Sequence, residues 1–317
     1  MPGDIERVST RAARADRDGV SVIIAVKNGE RFIAEAIESA LAQGSALVDV
    51  VVVDDGSTDQ TRAIVASFDD RRVGLIANPS KGVSTARNAG VKACVGEWLL
   101  FLDADDRLAP ASAARLLQAA RSDAAVVAAY GDYERIDPGG SRIGRRFLMR
   151  GRQKPSGDIL PRLLQGNFII NGGILICRRD AFEKAGGFDP ALSLCEDWHL
   201  WCRLAACGRF AFVPERVMDY RVHPHSVMMG QRRSYRNFVP ALEAIFADPM
   251  IIANVDRREI GDARRQAEIS LLTYCAAQSV RSKGYAEAIG LASDAIRRDA
   301  RQAPYVVARV LGAAVGM

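Results

Sequence analysis

The acidic side chains of this 317-residue sequence gather at three places. Asp54-Asp55 runs into Gly56-Ser57-Thr58-Asp59, Asp103-Ala104-Asp105-Asp106 follows the apolar run Trp98–Leu102, and Glu196-Asp197 opens a helical pattern. Carboxylates brought into one crevice repel each other unless a cation or a donor-rich ligand compensates. A hard divalent ion bridging phosphate oxygens is the usual solution. A loop aspartate taken singly is more often a turn former or a helix cap. Three clusters at equivalent places in a repeating pattern favour a shared ligand over three separate caps.

The elements that must hold these residues alternate between strand and helix. Val20–Val26 is a continuous β-branched run, as expected of a strand covered on both faces. Phe32, Ile33, Ala36, Ile37, Ala40 and Leu41 fall at helical spacing. Val48–Val53, Val73–Ala77 and Trp98–Leu102 read as further strands, with a helix over Ser84–Val95. A parallel α/β sheet accounts for this order economically. In such a sheet ligands bind beyond the carboxyl ends of the strands, where the first two acidic clusters stand.

Beyond about residue 130 the pattern changes. Gly172–Cys177 reads as a strand, and Arg178–Ala185 and Glu196–Cys207 as helices. From Gln231 onward the composition is helical, with a hairpin broken at Lys283-Gly284. These features divide the chain into a polar leader (1–19), an α/β domain (20–230) and a helical extension (231–317). Gly284-Tyr285, Ala288 and Ala295 faintly match one tetratricopeptide helix pair, and a single pair without stacked neighbours does not make a repeat domain.

Composition excludes several classes. Hydrophobic residues make up 49%, too many for a disordered chain, and 27 glycines with 12 prolines rule out a collagen-like one. Six cysteines with no Cys-x-x-Cys pair read as buried, reduced thiols in a cytosolic setting. No secretory leader or membrane-length apolar run is visible. The formal charge of +5 splits unevenly: residues 1–230 carry 30 basic and 29 acidic side chains, and residues 231–317 carry 13 and 9. That surplus is too dilute for a nucleic-acid footprint. The densest basic run, Arg142–Lys154, has six basic residues and no acid. It reads by default as a solvated loop, with an anionic acceptor or a membrane surface at the inner face as alternatives. The apolar end of the chain is read as a helix packing on the core, with a weak interfacial anchor as the alternative.

Taken in series, several motifs resemble the inverting family-2 glycosyltransferases of GT-A fold. They are Ser21-Val22-Ile23-Ile24, Asn28-Gly29, Val53-Asp54-Asp55-Gly56-Ser57-Thr58-Asp59, Gly82-Val83-Ser84-Thr85-Ala86-Arg87-Asn88, Phe101-Leu102-Asp103-Ala104-Asp105-Asp106, Gly186-Gly187-Phe188-Asp189 and Glu196-Asp197. They occur in family order over roughly residues 20 to 226. The resemblance implies a Rossmann-like, mostly parallel sheet flanked by helices, and a nucleoside-diphosphate-sugar donor, with a UDP-sugar as first choice. It implies that Asp54 or Asp55 accepts from the nucleobase, that Lys27 and Asn28 line the nucleotide site, and that Arg87 lies near the pyrophosphate. Asp103 and Asp105 would hold the ribose and a Mg²⁺ or Mn²⁺ ion, Asp105 being the firmer ligand. His223, in Tyr220-Arg221-Val222-His223, would complete the metal shell; a loop histidine is otherwise usually just solvated.

The same resemblance makes Asp197 the general base, with Glu196 supporting the site or touching the acceptor. Gly172 and Gly173 would let backbone approach the donor sugar, the alternative being an ordinary turn into a strand. Trp198, Arg145 and Arg146 are the acceptor-side residues, for a saccharide or a lipid-linked or protein-linked glycan. One departure stands out: where the family has Pro-x-Tyr-Asn, this sequence reads Ala25-Val26-Lys27-Asn28. No ring is available there to stack on a base, which bears on nucleotide identity and not on fold. Two other readings compete: a non-catalytic nucleotide-sugar-binding relative, free to lose Asp103, Asp105 and Asp197, and a nucleotidyltransferase, which wants a glycine-rich phosphate loop. A dehydrogenase is disfavoured because no Gly-x-Gly-x-x-Gly follows Val20–Val26.

Overall fold

The computed structural model describes residues 18–143, 154–223 and 234–314. In chain order the elements are β1 (Val20–Val26), α1 (Ile33–Leu41), β2 (Leu47–Asp54), α2 (Thr61–Ala66), β3 (Val73–Ala77), α3 (Val83–Ala93), β4 (Trp98–Asp103), β5 (Arg107–Leu108), α4 (Ser112–Ala120), β6 (Val126–Ile136) and α5 (Leu160–Leu163). There follow β7 (Leu175–Arg178), α6 (Arg179–Lys184), α7 (Glu196–Cys207), β8 (Arg209–Arg221), α8 (Val239–Ala247), α9 (Pro249–Ile252), α10 (Arg257–Arg281), α11 (Tyr285–Arg298) and α12 (Ala303–Ala314). They fall into two compact units, one drawn from Met1–Ile159 and Ile169–Arg221, the other from Leu160–Phe168 and Val222–Met317.

The first unit is built on one eight-stranded sheet in the order β3-β2-β1-β4-β7-β6-β8-β5. β3, β2, β1 and β4 run parallel. β7 is antiparallel to both β4 and β6, β6 and β8 are parallel, and β5 closes the far edge antiparallel to β8. In β1 every residue but Ala25 is buried, as the unbroken β-branched run requires. α1 buries Ile33, Ala36, Ile37 and Ala40, the stripe its spacing predicts. At the amino-terminal end of the sheet Arg179 donates to the carbonyls of Gly96, Val91 and Cys94, tying the end of α3 to the start of β4.

Two long strands escape the sequence pattern. β8 carries Pro214, which normally argues against a strand, and its register against β6 shifts between Tyr130 and Tyr133. The expected strand over Gly172–Cys177 begins only at Leu175, because Gly172–Ile174 forms a 3-10 turn. Among the described residues no disulfide joins the cysteines, and Cys94, Cys177, Cys202 and Cys275 are buried.

The second unit is helical. Ile269 and Leu272 of α10, Ala295 of α11 and Val306 of α12 form one buried cluster, and Val280, Ala288 and Ala313 a second. The turn between α10 and α11 holds Lys283 at φ +60°, and the Gly284 N–H donates to Ser279 O at 2.7 Å. This is the helix-terminating geometry that usually employs glycine at the left-handed position. Among the described residues no helix is long and apolar enough to cross a membrane.

Candidate active site

Strand register brings the first two acidic clusters to one edge of the sheet. Val26 of β1 pairs with Asp54 of β2, and Ala25 with Asp103 of β4, so both aspartates close their strands at the same level. Two loops are laced together beyond that edge. Asn28, at φ +54°, donates its N–H to Ser57 Oγ at 2.9 Å and accepts from the Thr58 N–H at 2.8 Å. Asparagine tolerates this left-handed geometry better than most residues. Lys27 beside it is exposed.

The carboxylates of the first cluster are engaged within their own loops. Asp54, 2% exposed, accepts from the Ser57 N–H and pairs with Arg62, both at 3.1 Å. Asp55 accepts from Asn78 Nδ2 at 2.6 Å and from the Gly82 N–H at 3.2 Å, tying the end of β2 to the start of α3. That start is where Arg87 is mounted.

Arg87 joins the second cluster to the third. Its guanidinium donates to Asp103 at 2.8 Å and to Glu196 at 2.9 Å, and lies 5.1 Å above the Phe188 ring. Burial works against its charge, but Asp103, Glu196 and Asp197 outweigh burial and hold its pKa above the ordinary value. Glu196 and Asp197 open α7, where the helix dipole favours acids. The residue before them, Cys195, enters the helix at φ +56°, a left-handed position that costs a non-glycine residue roughly 1 kcal/mol. Burial, then the neighbouring Glu196 charge, pushes the Asp197 carboxyl up to about 8 against the pull of Arg87 and the Trp198 N–H.

Asp103, Asp105 and Asp106 bring one carboxylate oxygen each to within 4.8 Å of one another, the only such group of acidic, histidine or cysteine ligands among the described residues. Three carboxylates are a hard oxygen donor set, suited to Mg²⁺ or Mn²⁺. Asp106 is 1% exposed, accepts from the Arg221 N–H at 2.7 Å and from Asn171 at 2.8 Å, and is pushed well above the usual carboxylate range by burial and by Asp105 and Asp103. Arg221, also 1% exposed, donates to Asp105 O at 2.7 Å, pairs with Glu35, and stacks over Phe32.

The sequence gives no local signal for a role of Asp106, Arg221 or Cys195, and it presents Asn171 only as the first residue of the Asn171-Gly172-Gly173 segment that would approach the donor sugar. Asp106 stood inside a motif that was read through its first and third residues. Arg221 lies 115 positions from its partner Asp106 with no local signal. Gly172 and Gly173 are buried, and Asn171 caps their turn. Trp198, the expected acceptor-side residue, is 1% exposed and packs in the core. Arg145 and Arg146 lie outside the described residues, and His223 falls in the second unit.

A sequence model described as glycosyl transferase family 2 matches residues 21–186, more than half of the chain. The chain belongs to glycosyltransferase family 2. Among curated relatives, the succinoglycan biosynthesis protein ExoO of Rhizobium meliloti is 33% identical over 237 residues, 72% of this chain and 67% of that protein. The chain spans about two thirds of the length of the curated relatives it matches first. Among solved structures, S. aureus TarS 1-349 in complex with UDP-GlcNAc aligns with a TM-score of 0.60 at 20% identity, over 93% of this chain and 89% of that one. The mannosyltransferase PcManGT from Pyrobaculum calidifontis, in complex with GDP-Man and Mn²⁺, aligns with a TM-score of 0.58 at 20% identity, over 94% and 86%. These likenesses carry the GT-A fold: this family-2 glycosyltransferase is a mostly parallel sheet flanked by helices.

Proposed function

We propose that the protein is an inverting, metal-dependent glycosyltransferase that moves a sugar from a nucleoside-diphosphate sugar to a hydroxyl of a saccharide or of a lipid-linked or protein-linked glycan. The observation that carries this reading is the Arg87 bridge, which joins Asp103 of the three-aspartate group to Glu196, the neighbour in sequence of the desolvated Asp197. Asp105 and Asp103 would hold Mg²⁺ or Mn²⁺, and Lys27, Asn28 and the Asp54-Asp55 loop would flank the nucleotide. Bound there, the ion would neutralise charge developing on the departing diphosphate. Asp197 accepts the proton of the attacking hydroxyl, and a carboxyl that titrates near 8 is well matched to that task. With no second carboxylate cast as nucleophile, the displacement is single and inverts the anomeric centre.

The TarS complex with UDP-GlcNAc and the PcManGT complex with GDP-Man support a UDP-sugar as first choice and a GDP-sugar as second. The likeness to ExoO, a succinoglycan biosynthesis protein, supports a polysaccharide acceptor. A cytoplasmic location, with peripheral contact at the membrane, goes with that acceptor. A melting-temperature panel of UDP, GDP, dTDP and ADP, each with Mn²⁺ or Mg²⁺, tests the donor. A ligand at about 100 times its Kd stabilises by roughly 2.7 kcal/mol, so the cognate nucleotide should stand out. If none of the four raises the melting temperature, the nucleotide-sugar reading fails. If one does but no glycosyl transfer follows with any acceptor pool, the non-catalytic binding protein is the better account.

A further inference from the structure

We propose that Asn171 is a positioning residue that sets the geometry of the metal-binding carboxylates. The inference rests on the metal reading above and extends it to a residue outside the ligand set. The Asn171 side-chain nitrogen donates one hydrogen to Asp103 Oδ2 at 2.9 Å and the other to Asp106 Oδ2 at 2.8 Å. Its oxygen accepts from the Gly173 N–H at 2.5 Å. Both amide hydrogens and the amide oxygen are therefore in use. The reverse orientation would set the amide oxygen against two carboxylates and an N–H against an N–H, so only this one satisfies all three partners.

The residue is held as firmly as it holds. Asn171 is 5% exposed, and its backbone is extended where it enters the turn. A Cβ on Gly172 would come within 2.6 Å of Phe101 O, the backbone of β4 two residues before Asp103. A Cβ on Gly173 would come within 2.4 Å of Met218 Sδ. Gly172 thus lets the turn press onto the strand that ends in Asp103, and Gly173 lets it press onto Met218 of β8, so the Asn171 amide is placed between them. On its other side Asp106 is fixed by the N–H of Arg221, whose side chain also holds the Asp105 carbonyl.

The electrostatics give the arrangement a purpose. When ionised, Asp103, Asp105 and Asp106 repel each other, and the Arg87 guanidinium on Asp103 offsets only part of that repulsion. One neutral amide that donates to two of the three keeps their spacing without adding a charge to compete with a metal ion. A lysine or arginine in the same place would occupy the cation site itself. Hydrogen-bond partners that orient metal ligands typically change metal affinity about 10–100-fold when removed.

The test is a titration of the full chain with Mn²⁺ alone, followed through the electron paramagnetic resonance signal of the free ion, with melting temperatures taken in chelator. Asn171→Ala should weaken Mn²⁺ binding by about 10–100-fold. Asn171→Ser, which keeps one donor in a small side chain, should fall between alanine and the parent and covers the case in which alanine fails to fold. Asp105→Asn reports on the underlying metal reading. If Asp105→Asn loses Mn²⁺ and both Asn171 variants bind it as the parent does, the positioning role is overturned while the metal reading stands. The positioning role is overturned equally if the Asn171 variants lower only the melting temperature in chelator. If the parent binds no Mn²⁺, both fall together.

Discussion

At the scale of single residues, the site depends on two side chains whose surroundings set their charge. Asp197 is partly withdrawn from water beside Glu196, which lifts its pKa to about 8. In the free enzyme kcat/KM should therefore rise as pH increases through about 8, since the carboxyl must lose its proton before it can accept one. A profile that is flat between about pH 6 and pH 9 would remove Asp197 from the role of base. Asp197→Asn should cost about 10²–10⁴-fold in turnover while leaving donor affinity, read by titration calorimetry, near the parent's. Arg87 presents the opposite case, a buried cation shared by two acids. Arg87→Ala leaves the half-buried Glu196 without its partner, and denaturant unfolding should show a loss of about 2–3 kcal/mol. That figure sits below the range for fully buried pairs because the Asp103 side chain is 39% exposed and screened by water.

At the scale of elements, the turn between Asn171 and β7 decides where the second cluster stands. A methyl group on Gly172 would meet the Phe101 carbonyl, which belongs to a central strand and cannot step aside as a flexible side chain would. Gly172→Ala should destabilise the protein by about 1–3 kcal/mol in denaturant titrations and weaken Mn²⁺ binding through the displaced Asn171. An alanine variant as stable as the parent would show that the turn can retreat from β4. Most elements were legible in the sequence. β1 to β4, α1 and α7 carry apolar runs or helical stripes, largely buried, that follow from burial on both faces or one. β6 and β8 were not legible. Each mixes charge with apolar residues, and β8 contains a proline, so their strand character comes from pairing with each other and not from local pattern.

At the scale of the whole molecule, the charges imply a stability that depends on pH from both sides. Asp49, Asp106 and Asp197 have folded-state pKa values raised by burial, that of Asp197 to about 8, so above the ordinary carboxylate value the unfolded chain holds fewer protons than the folded one. Their contribution is present in full below pH 4 or so and is lost as pH rises through the folded-state values. Asp70, drawn down to about 2 by Arg72, and Asp180, drawn down by Arg178 against the effect of burial, behave oppositely and lose theirs as pH falls below 4 or so. The metal-free protein should thus lose melting temperature from about pH 5 to pH 8. Asp197→Asn should recover part of that loss, by roughly 2–4 °C for each 1 kcal/mol. Mn²⁺ should recover more at pH 8 than at pH 5, because a cation favours the ionised carboxylates that burial opposes. Calorimetric scans across that range check all three statements.

The first two acidic clusters, their place at the carboxyl edge of a sheet, and family membership were all determined by the sequence. Each is written in short runs whose meaning depends on neighbours a few residues away. Only the tertiary structure decided which carboxylates are engaged and by what. The bridge from Arg87 to Asp103 and Glu196 spans 109 positions at its longer arm, and the Asn171 amide reaches back 68 positions to Asp103. Such contacts have no local signature, because polar partners are chosen by the packing of elements and not by spacing along the chain.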